Sequence, residues 1–422
     1  MDNGTARPLV GERGAANGAL AGRPLDDDPG PVLEPERGFV IATGIECSAP
    51  LVGGRRVDEL AKTGHYGRWA EDLRLVRATG IRYLRYGLPI HVINPGPGVF
   101  DWAFSDVVMA RMRELGITPI LDLLHFGVPD DLREIGHPEV PGRLEAFARA
   151  VAERYPWVRH YTPVNEPYIT ALFSARVGWW NEQRSDEPSF VRALLTVGRA
   201  HVLAARAIRA IRPDAVLVTS ESCQEHHPAE TAAEVVAAFE NELRFTSFEL
   251  VYGRPLPGLI GDYLLANGAT RDELAWFERN GSDAGAIVGN DYYEGSEQLV
   301  DRHGATRPAG VRTGYAALAR AYHDRLGLPL MHTETNMDRP RAAEWLAGQW
   351  ADVADLRRTG VPIRGFTWYG FVNHVDWDTA LRQDQGRENP CGLVGLDRRP
   401  NPVYATFRAI AAAVAEEEWV AG

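Results

Sequence analysis

The sequence predicts an α/β fold in which eight strand–helix units close into a single-domain (β/α)8 barrel. Three observations predict it. From Gly38 onward, short runs rich in β-branched residues alternate with longer amphipathic runs. Eight such units in order imply a parallel sheet with helical crossovers, and eight are enough to close on themselves. The competing doubly wound open sheet calls for a glycine-rich phosphate turn after the first strand. ATGIECSAP is not GxGxxG, and GxxxxGK[ST] occurs nowhere.

The strands are expected at FVIAT (39–43), IRYLRY (81–86), TPILDLL (118–124), HYTPVN (160–165), AVLVTS (215–220), AIVGN (286–290), LPLMHTE (328–334) and IRGFTWY (363–369). Helices are expected near 68–79, 103–115, 142–154, 189–211, 231–246, 310–326, 340–358 and 402–416. In the second of these, Phe104, Val107, Val108, Met112 and Leu115 recur at near-helical spacing and predict the core-facing stripe. Gly80, Gly116, Gly327 and Gly360 stand where helices should stop, because glycine reaches the left-handed conformation that closes a helix. Residues 1–37 are rich in Gly, Ala, Pro, Arg and Asp without hydrophobic period and predict a flexible tail, with the barrel occupying 38–422.

The formal net charge is −12, which disfavours nucleic acid or an anionic membrane as partner. Lys62 is the only lysine. Cys47, Cys223 and Cys391 are scattered, with no CxxC pair, so neither a disulfide framework nor a zinc site is expected. No run approaches the roughly 20 apolar residues of a membrane span, and no secretory signal precedes the barrel. A cytoplasmic enzyme is the expectation.

In a barrel of this kind the active site lies at the C-terminal ends of the strands. The polar residues there are Arg85, His125, Asn165, Glu166, Glu221, Asp291, Glu334 and the stretch after Trp368. Carboxylates mixed with aromatics suit a sugar, whose hydroxyls need charged acceptors and whose C–H faces need flat rings. Glycoside hydrolysis needs two carboxylates flanking the scissile bond. Glu166, ending the fourth strand, and Glu334, ending the seventh, are that pair.

TPVNEP resembles the acid/base motif of glycoside hydrolase family 1, the β-glucosidase family of clan A, and HTETN resembles its nucleophile strand. LLHFGVPDDL, VGNDYY, GFTWYGFVNHVDW and NPCGLVGLDRRPNPVYATFRAI are similar to four further family segments, and all six occur in family order between about 38 and 415. The resemblance implies a retaining β-glycosidase on a TIM barrel, needing no metal or cofactor and acting on a β-linked glycoside or oligosaccharide. It gives Glu166 as acid/base and Glu334 as nucleophile, with Arg85 and Tyr293 attending Glu334. It implies sugar contacts at Asn165 (2-hydroxyl), His125 (3-hydroxyl), Trp368 (the subsite floor), and Asp376 with Trp377 (4- and 6-hydroxyls).

The chain departs from the family pattern at several of these positions. Glu46 is the nearest candidate for a strand-one glutamine. Phe126 and Gly127 replace Trp and Asp, Asp291 stands for Asn, and Asp376 is one methylene shorter than Glu. RQDQGRENPCGL lacks the Ser-x-Lys-x-Tyr clamp of 6-phosphosugar enzymes, leaving Arg382 and Arg387 as the remaining anion-binding candidates. A transglycosylating or endo-acting clan A enzyme and a catalytically weak sugar-binding barrel stand as alternatives. Neither the sugar nor the oligomeric state is specified.

Overall fold

The computed structural model describes residues 32–421. Its centre is a closed barrel of eight parallel strands: β1 (Val40–Ile45), β2 (Tyr83–Gly87), β3 (Thr118–Asp122), β4 (His160–Thr162), β5 (Val216–Ser222), β6 (Ala286–Asp291), β7 (Leu330–Glu334) and β8 (Ile363–Tyr369). Each pairs with its sequence neighbours, and β1 closes against β8 with Val40 opposite Gly365 and Gly44 opposite Tyr369. All eight expected strands are present.

Around them lie α1 (His65–Ala78), α2 (Ala103–Glu114), α3 (Val140–Arg154), α4 (Glu187–Ile211), α5 (Glu234–Leu243), α6 (Tyr315–Leu326), α7 (Ala342–Arg358) and α8 (Val403–Ala421). Gly80, Gly116, Gly327 and Gly360, after α1, α2, α6 and α7, all have positive φ, which is why glycine stands there. In α2 the buried stripe is Ser105, Val108, Met109 and Met112. Val107, expected in it, is 48% exposed. The true stripe steps by three, one and three residues, and Met109 takes the place expected of Val107.

The β5–β6 connection carries three helices beyond the expected pattern, Thr246–Tyr252, Gly258–Ala266 and Arg271–Asn280. A capping box opens the last of them: Thr270 Oγ1 accepts from the Glu273 N–H, while Glu273 Oε2 accepts from the Thr270 N–H. That Thr-x-x-Glu pattern is a readable start signal. A three-stranded sheet, Glu225–Pro228, Glu297–Val300 and Thr306–Pro308, extends the β5 and β6 connections outside the barrel.

Of the expected tail, residues 1–31 lie outside the described residues, and residues 32–37 correct its boundary. Leu33 is fully buried and closes the N-terminal end of the barrel against Val40, Ala42, Tyr83, Ile120, Val216, Val218, Ile287 and Met331. Its N–H donates to Tyr83 Oη at 3.2 Å and its carbonyl pairs with His160 Nε2 at 2.9 Å. Burial lowers His160 to about 4, so at neutral pH the ring is uncharged and its N–H donates. Arg364 Nε holds the Pro35 carbonyl at 2.9 Å. An isolated leucine in a Gly/Pro-rich stretch carries no period, so its docking is set by the barrel's open end. With that end filled by apolar side chains, the polar residues collect at the other.

Candidate active site

Strand alternation decides which side chains enter the barrel. Val40 and Ala42 face inward, so Gly44 does as well, and the register sets Gly44 opposite both Arg85 and Tyr369. On β7 the register against β6 shifts between His332 and Glu334. A bulge of this kind re-aims a side chain. Thr333 faces inward against Gly289, and Glu334 follows it inward opposite Asp291.

Arg85 is fully buried beneath the cavity. Its Nη1 donates to Glu334 Oε1 at 2.5 Å, and its Nη2 donates to Asp122 Oδ2 and Asn165 Oδ1, each at 2.8 Å. Asp291 Oδ1 lies 3.9 Å from Nη1. The second oxygen of Glu334 accepts from Tyr293 Oη at 2.7 Å. His125 Nδ1 pairs with Asp122 Oδ2 at 3.1 Å, and its Nε2 meets Asn165 Nδ2 at 3.1 Å. Asp122, absent from the sequence-based candidates, therefore orders both Arg85 and His125. Its parity with Ile120 on β3 is the signal that would have found it.

Glu166 sits just past β4 with φ 41° and ψ 67°, a left-handed conformation uncommon outside glycine. Its N–H donates to the Ser220 carbonyl at 3.0 Å. Pro167 then opens a short helix, Pro167–Ala171. Glu221 faces outward by alternation and accepts from the Tyr168 N–H at 2.7 Å, fixing the start of that helix. Glu221 thus supports Glu166 from behind.

The two candidate catalytic carboxyls differ electrically. Burial pushes Glu166 well above the ordinary carboxylate range, and the negative charges of Asp291, Glu334 and Glu221 push the same way. Burial also raises Glu334, but the Arg85 guanidinium and the Tyr293 hydroxyl oppose it, so its rise is smaller. Of the two, Glu166 is pushed harder toward its protonated form.

Above this floor opens a cavity of about 420 Å³. Of the expected site residues, Glu46, His125, Glu166, Tyr293, Glu334 and Trp377 line it. Arg85 and Asn165 lie beneath, fully buried. Asn336, Asp338, Arg341, His374, Asn389 and Cys391 join the lining without having been expected there.

Two expectations need correction. Trp368 does not form the floor. It stands opposite Thr43, one residue out of phase with the inward Gly44–Tyr369 pair, so it points into the helix layer, where its Nε1 donates to the Cys391 carbonyl at 3.0 Å. Tyr369 enters the barrel instead, stacked on His125 at 6.2 Å with 7° between ring planes. Asp376 does not reach the cavity lining. Lys62 Nζ donates to its Oδ2 at 2.6 Å, and the N–H groups of Gln385, Gly386 and Arg387 donate to its two oxygens at 2.8–3.0 Å. Burial raises this carboxyl, but Lys62 and the amides outweigh it and hold the pKa below the ordinary value. Lys62 also pairs with Asp384 at 2.9 Å, so the sole lysine ties the 376–387 loop to the β1 side.

The remaining anion-binding candidates are occupied. Arg387 pairs with Asp378, and Arg382 lies over the Trp179 ring at 4.2 Å. Arg341, on the cavity wall, makes a two-pronged contact with Glu294, both distances 2.6 Å. Among the described residues one group has metal-ligand types in reach of one another: Cys47, Asp122 and His125, with donor atoms within 4.8 Å. Asp122 Oδ2 there already serves Arg85 and His125, so a cation would compete with the guanidinium.

A family model described as Glycosyl hydrolase family 1 matches residues 52–263. Beta-glucosidase A of Thermotoga maritima is 24% identical over 247 residues, covering 55% of this chain and 54% of that protein. The bifunctional beta-D-glucosidase/beta-D-fucosidase of Bifidobacterium breve is 29% identical over 206 residues, covering 41% and 45%. The chain thus spans about half the length of these two curated relatives. A solved structure of a beta-glucosidase from Thermotoga maritima in complex with glucoimidazole superimposes with a TM-score of 0.76 at 17% identity, over 90% of this chain and 99% of that one.

Proposed function

The chain belongs to glycosyl hydrolase family 1, and from that premise we propose that it is a retaining β-glycosidase with Glu334 as nucleophile and Glu166 as acid/base. One observation carries the reading: two cavity carboxyls with opposed surroundings, Glu334 gripped by Arg85 and Tyr293, and Glu166 pushed toward its protonated form. In the first step Glu166 gives its proton to the leaving oxygen while Glu334 attacks the anomeric carbon, forming a glycosyl ester. In the second, Glu166, now a carboxylate, takes a proton from water as that water displaces Glu334. Double displacement returns the starting β configuration.

His125, Glu46 and Trp377 are the groups of this reading that meet the sugar hydroxyls, supported by their place on the cavity wall. Asn165 orders His125 and Arg85 from below. A β-glucoside or β-fucoside is the first substrate to try, from the names of the relatives. Three free, buried cysteines support a cytoplasmic setting. No helix among the described residues is long and apolar enough to cross a membrane, and the acidic cavity and net charge of −12 argue against nucleic acid as a substrate.

Proton NMR of the first-formed sugar from an aryl β-glycoside tests the mechanism. The β anomer is expected, and initial release of the α anomer overturns it. Azide assigns the two glutamates. With azide, Glu166→Ala should give the β-glycosyl azide and Glu334→Gly the α-glycosyl azide. The same product from both variants contradicts the assignment.

A further inference from the structure

The cavity holds one polar pair whose geometry is incomplete. His374 lies on a short strand, His374–Val375, paired with Glu388–Asn389. Its ring is 5% exposed, set edge-on to Tyr369 at 6.0 Å and tilted against Trp377 at 6.3 Å. It also overhangs Gly370, where a Cβ would come within 2.9 Å of Nε2. The imidazole is therefore held from several sides, yet its Nε2 is buried at the cavity wall with no hydrogen-bond partner.

The facing group is Glu46. Its Oε1 accepts from the Ser48 N–H at 2.7 Å, which fixes the carboxylate, and its Oε2 lies 3.9 Å from His374 Nε2. That is too long for a hydrogen bond. One oxygen about 2.8 Å from each atom closes the gap with ordinary distances. A buried donor left unpaired carries a desolvation cost of about 1–3 kcal/mol that a ligand group can relieve. Trp377 Nε1, also on this wall, is likewise unpartnered. Burial lowers the His374 pKa despite the opposing pull of Glu46 and Asp338, so at neutral pH the ring is uncharged with one N–H to give.

We propose that Glu46 and His374 form a clamp for one ring hydroxyl of the glycone and thereby determine sugar selectivity. The hydroxyl donates to Glu46 Oε2 and accepts from His374 Nε2–H. Each partner uses a different face of the same O–H, so a deoxy sugar satisfies neither half of the clamp and a protonated aminodeoxy sugar only the Glu46 half. Asp376, with its oxygens on Lys62 and the loop amides, is not available for this task. The inference rests on the reading of the cavity as a glycosidase subsite.

The test crosses enzyme variants with deoxygenated substrates. Wild type, His374→Ala, His374→Gln and Glu46→Gln are assayed on an aryl β-glycoside and its 2-, 3-, 4- and 6-deoxy forms. In wild type, one position should cost roughly 10- to 100-fold in kcat/KM beyond the others. In His374→Ala the excess at that position should collapse to under about 3-fold, while penalties elsewhere stay. His374→Gln, which keeps an N–H donor, should recover part of it, and Glu46→Gln should weaken the same position. A uniform loss across all substrates in His374→Ala, or an aminodeoxy substrate preferred over the hydroxyl parent by wild type, overturns the clamp. If wild type cleaves none of the glycosides, the glycosidase reading fails by itself. The clamp is then read by calorimetric affinity for a polyhydroxylated piperidine and its monodeoxy forms, where coupling between His374 and one hydroxyl upholds it and uniform affinities overturn it.

Discussion

The floor of the cavity and the rim after β8 both bury carboxylates, but they use the charge in opposite ways. On the floor, one guanidinium is shared. Arg85 reaches Glu334, Asp122 and Asn165, and stands 3.9 Å from Asp291. Glu334 therefore remains on the cavity wall. On the rim, Asp376 has Lys62 and three backbone amides, and both of its oxygens are filled. Its charge folds a loop. Two carboxylates carried by family-like motifs thus divide into one on the cavity wall, the proposed nucleophile, and one tied into a loop. The number of partners, more than the motif, separates them.

The contrast can be broken from either side. The largest effect is expected at Glu334→Gly, which removes the nucleophile: kcat on an aryl β-glycoside should fall by about four to six orders of magnitude. A loss under tenfold would place the chemistry elsewhere. Next comes Tyr293→Phe. It deletes a charge-assisted hydrogen bond worth about 1.5–3 kcal/mol, and steady-state kinetics should show roughly 10- to 100-fold slower turnover with the fold intact.

Asp291→Asn sharpens the floor through pH. Glu166 must carry a proton, so kcat/KM is lost as pH rises through its raised pKa. After burial, Asp291 is the first contributor to that rise. Its own pKa is raised by burial and by Glu334, so over the range where it is ionised the substitution should move the alkaline limb to lower pH. An unmoved limb would show that Asp291 does not act on Glu166.

The smallest catalytic effect is expected on the rim. Asp376→Asn should keep the ranking of sugar substrates and instead lower stability by about 2 kcal/mol at pH 7. Because the folded pKa of Asp376 is depressed, its contribution is present above the unfolded value near 4 and is lost as pH falls through the folded one. The deficit of the variant in denaturant melts should therefore shrink in acid. A changed sugar ranking without a stability loss would reverse the comparison.

The same division explains what could be read from the chain. Period-two alternation names the inward face of Arg85, and the strand-end positions of His125 and Glu166 follow from the barrel, whereas Glu334 turns inward only through the register shift after His332. Trp368 shows the limit. A motif match brings an aromatic to the right strand, but neighbours on a strand face opposite sides, and Tyr369 holds the inward position. Asp376 shows another. Its partner Lys62 lies 314 residues away, and no local pattern foretells that meeting. His374 escaped because its role depends on Glu46 across the cavity and on the missing side chain at Gly370. Leu33 carries no local signal of its own, and the apolar bottom of the barrel decides its place.

The lone lysine has a practical consequence. A lysine-specific protease has one peptide bond to cut in this chain, the one after Lys62, and that bond follows a short helix, Glu59–Lys62, whose last side chain is clasped by Asp376 and Asp384. Cleavage requires the clasp to let go. The rate of that single cut therefore clocks the opening of the loop at the mouth of the cavity, without any label being introduced, and a sugar that holds the rim shut should slow it.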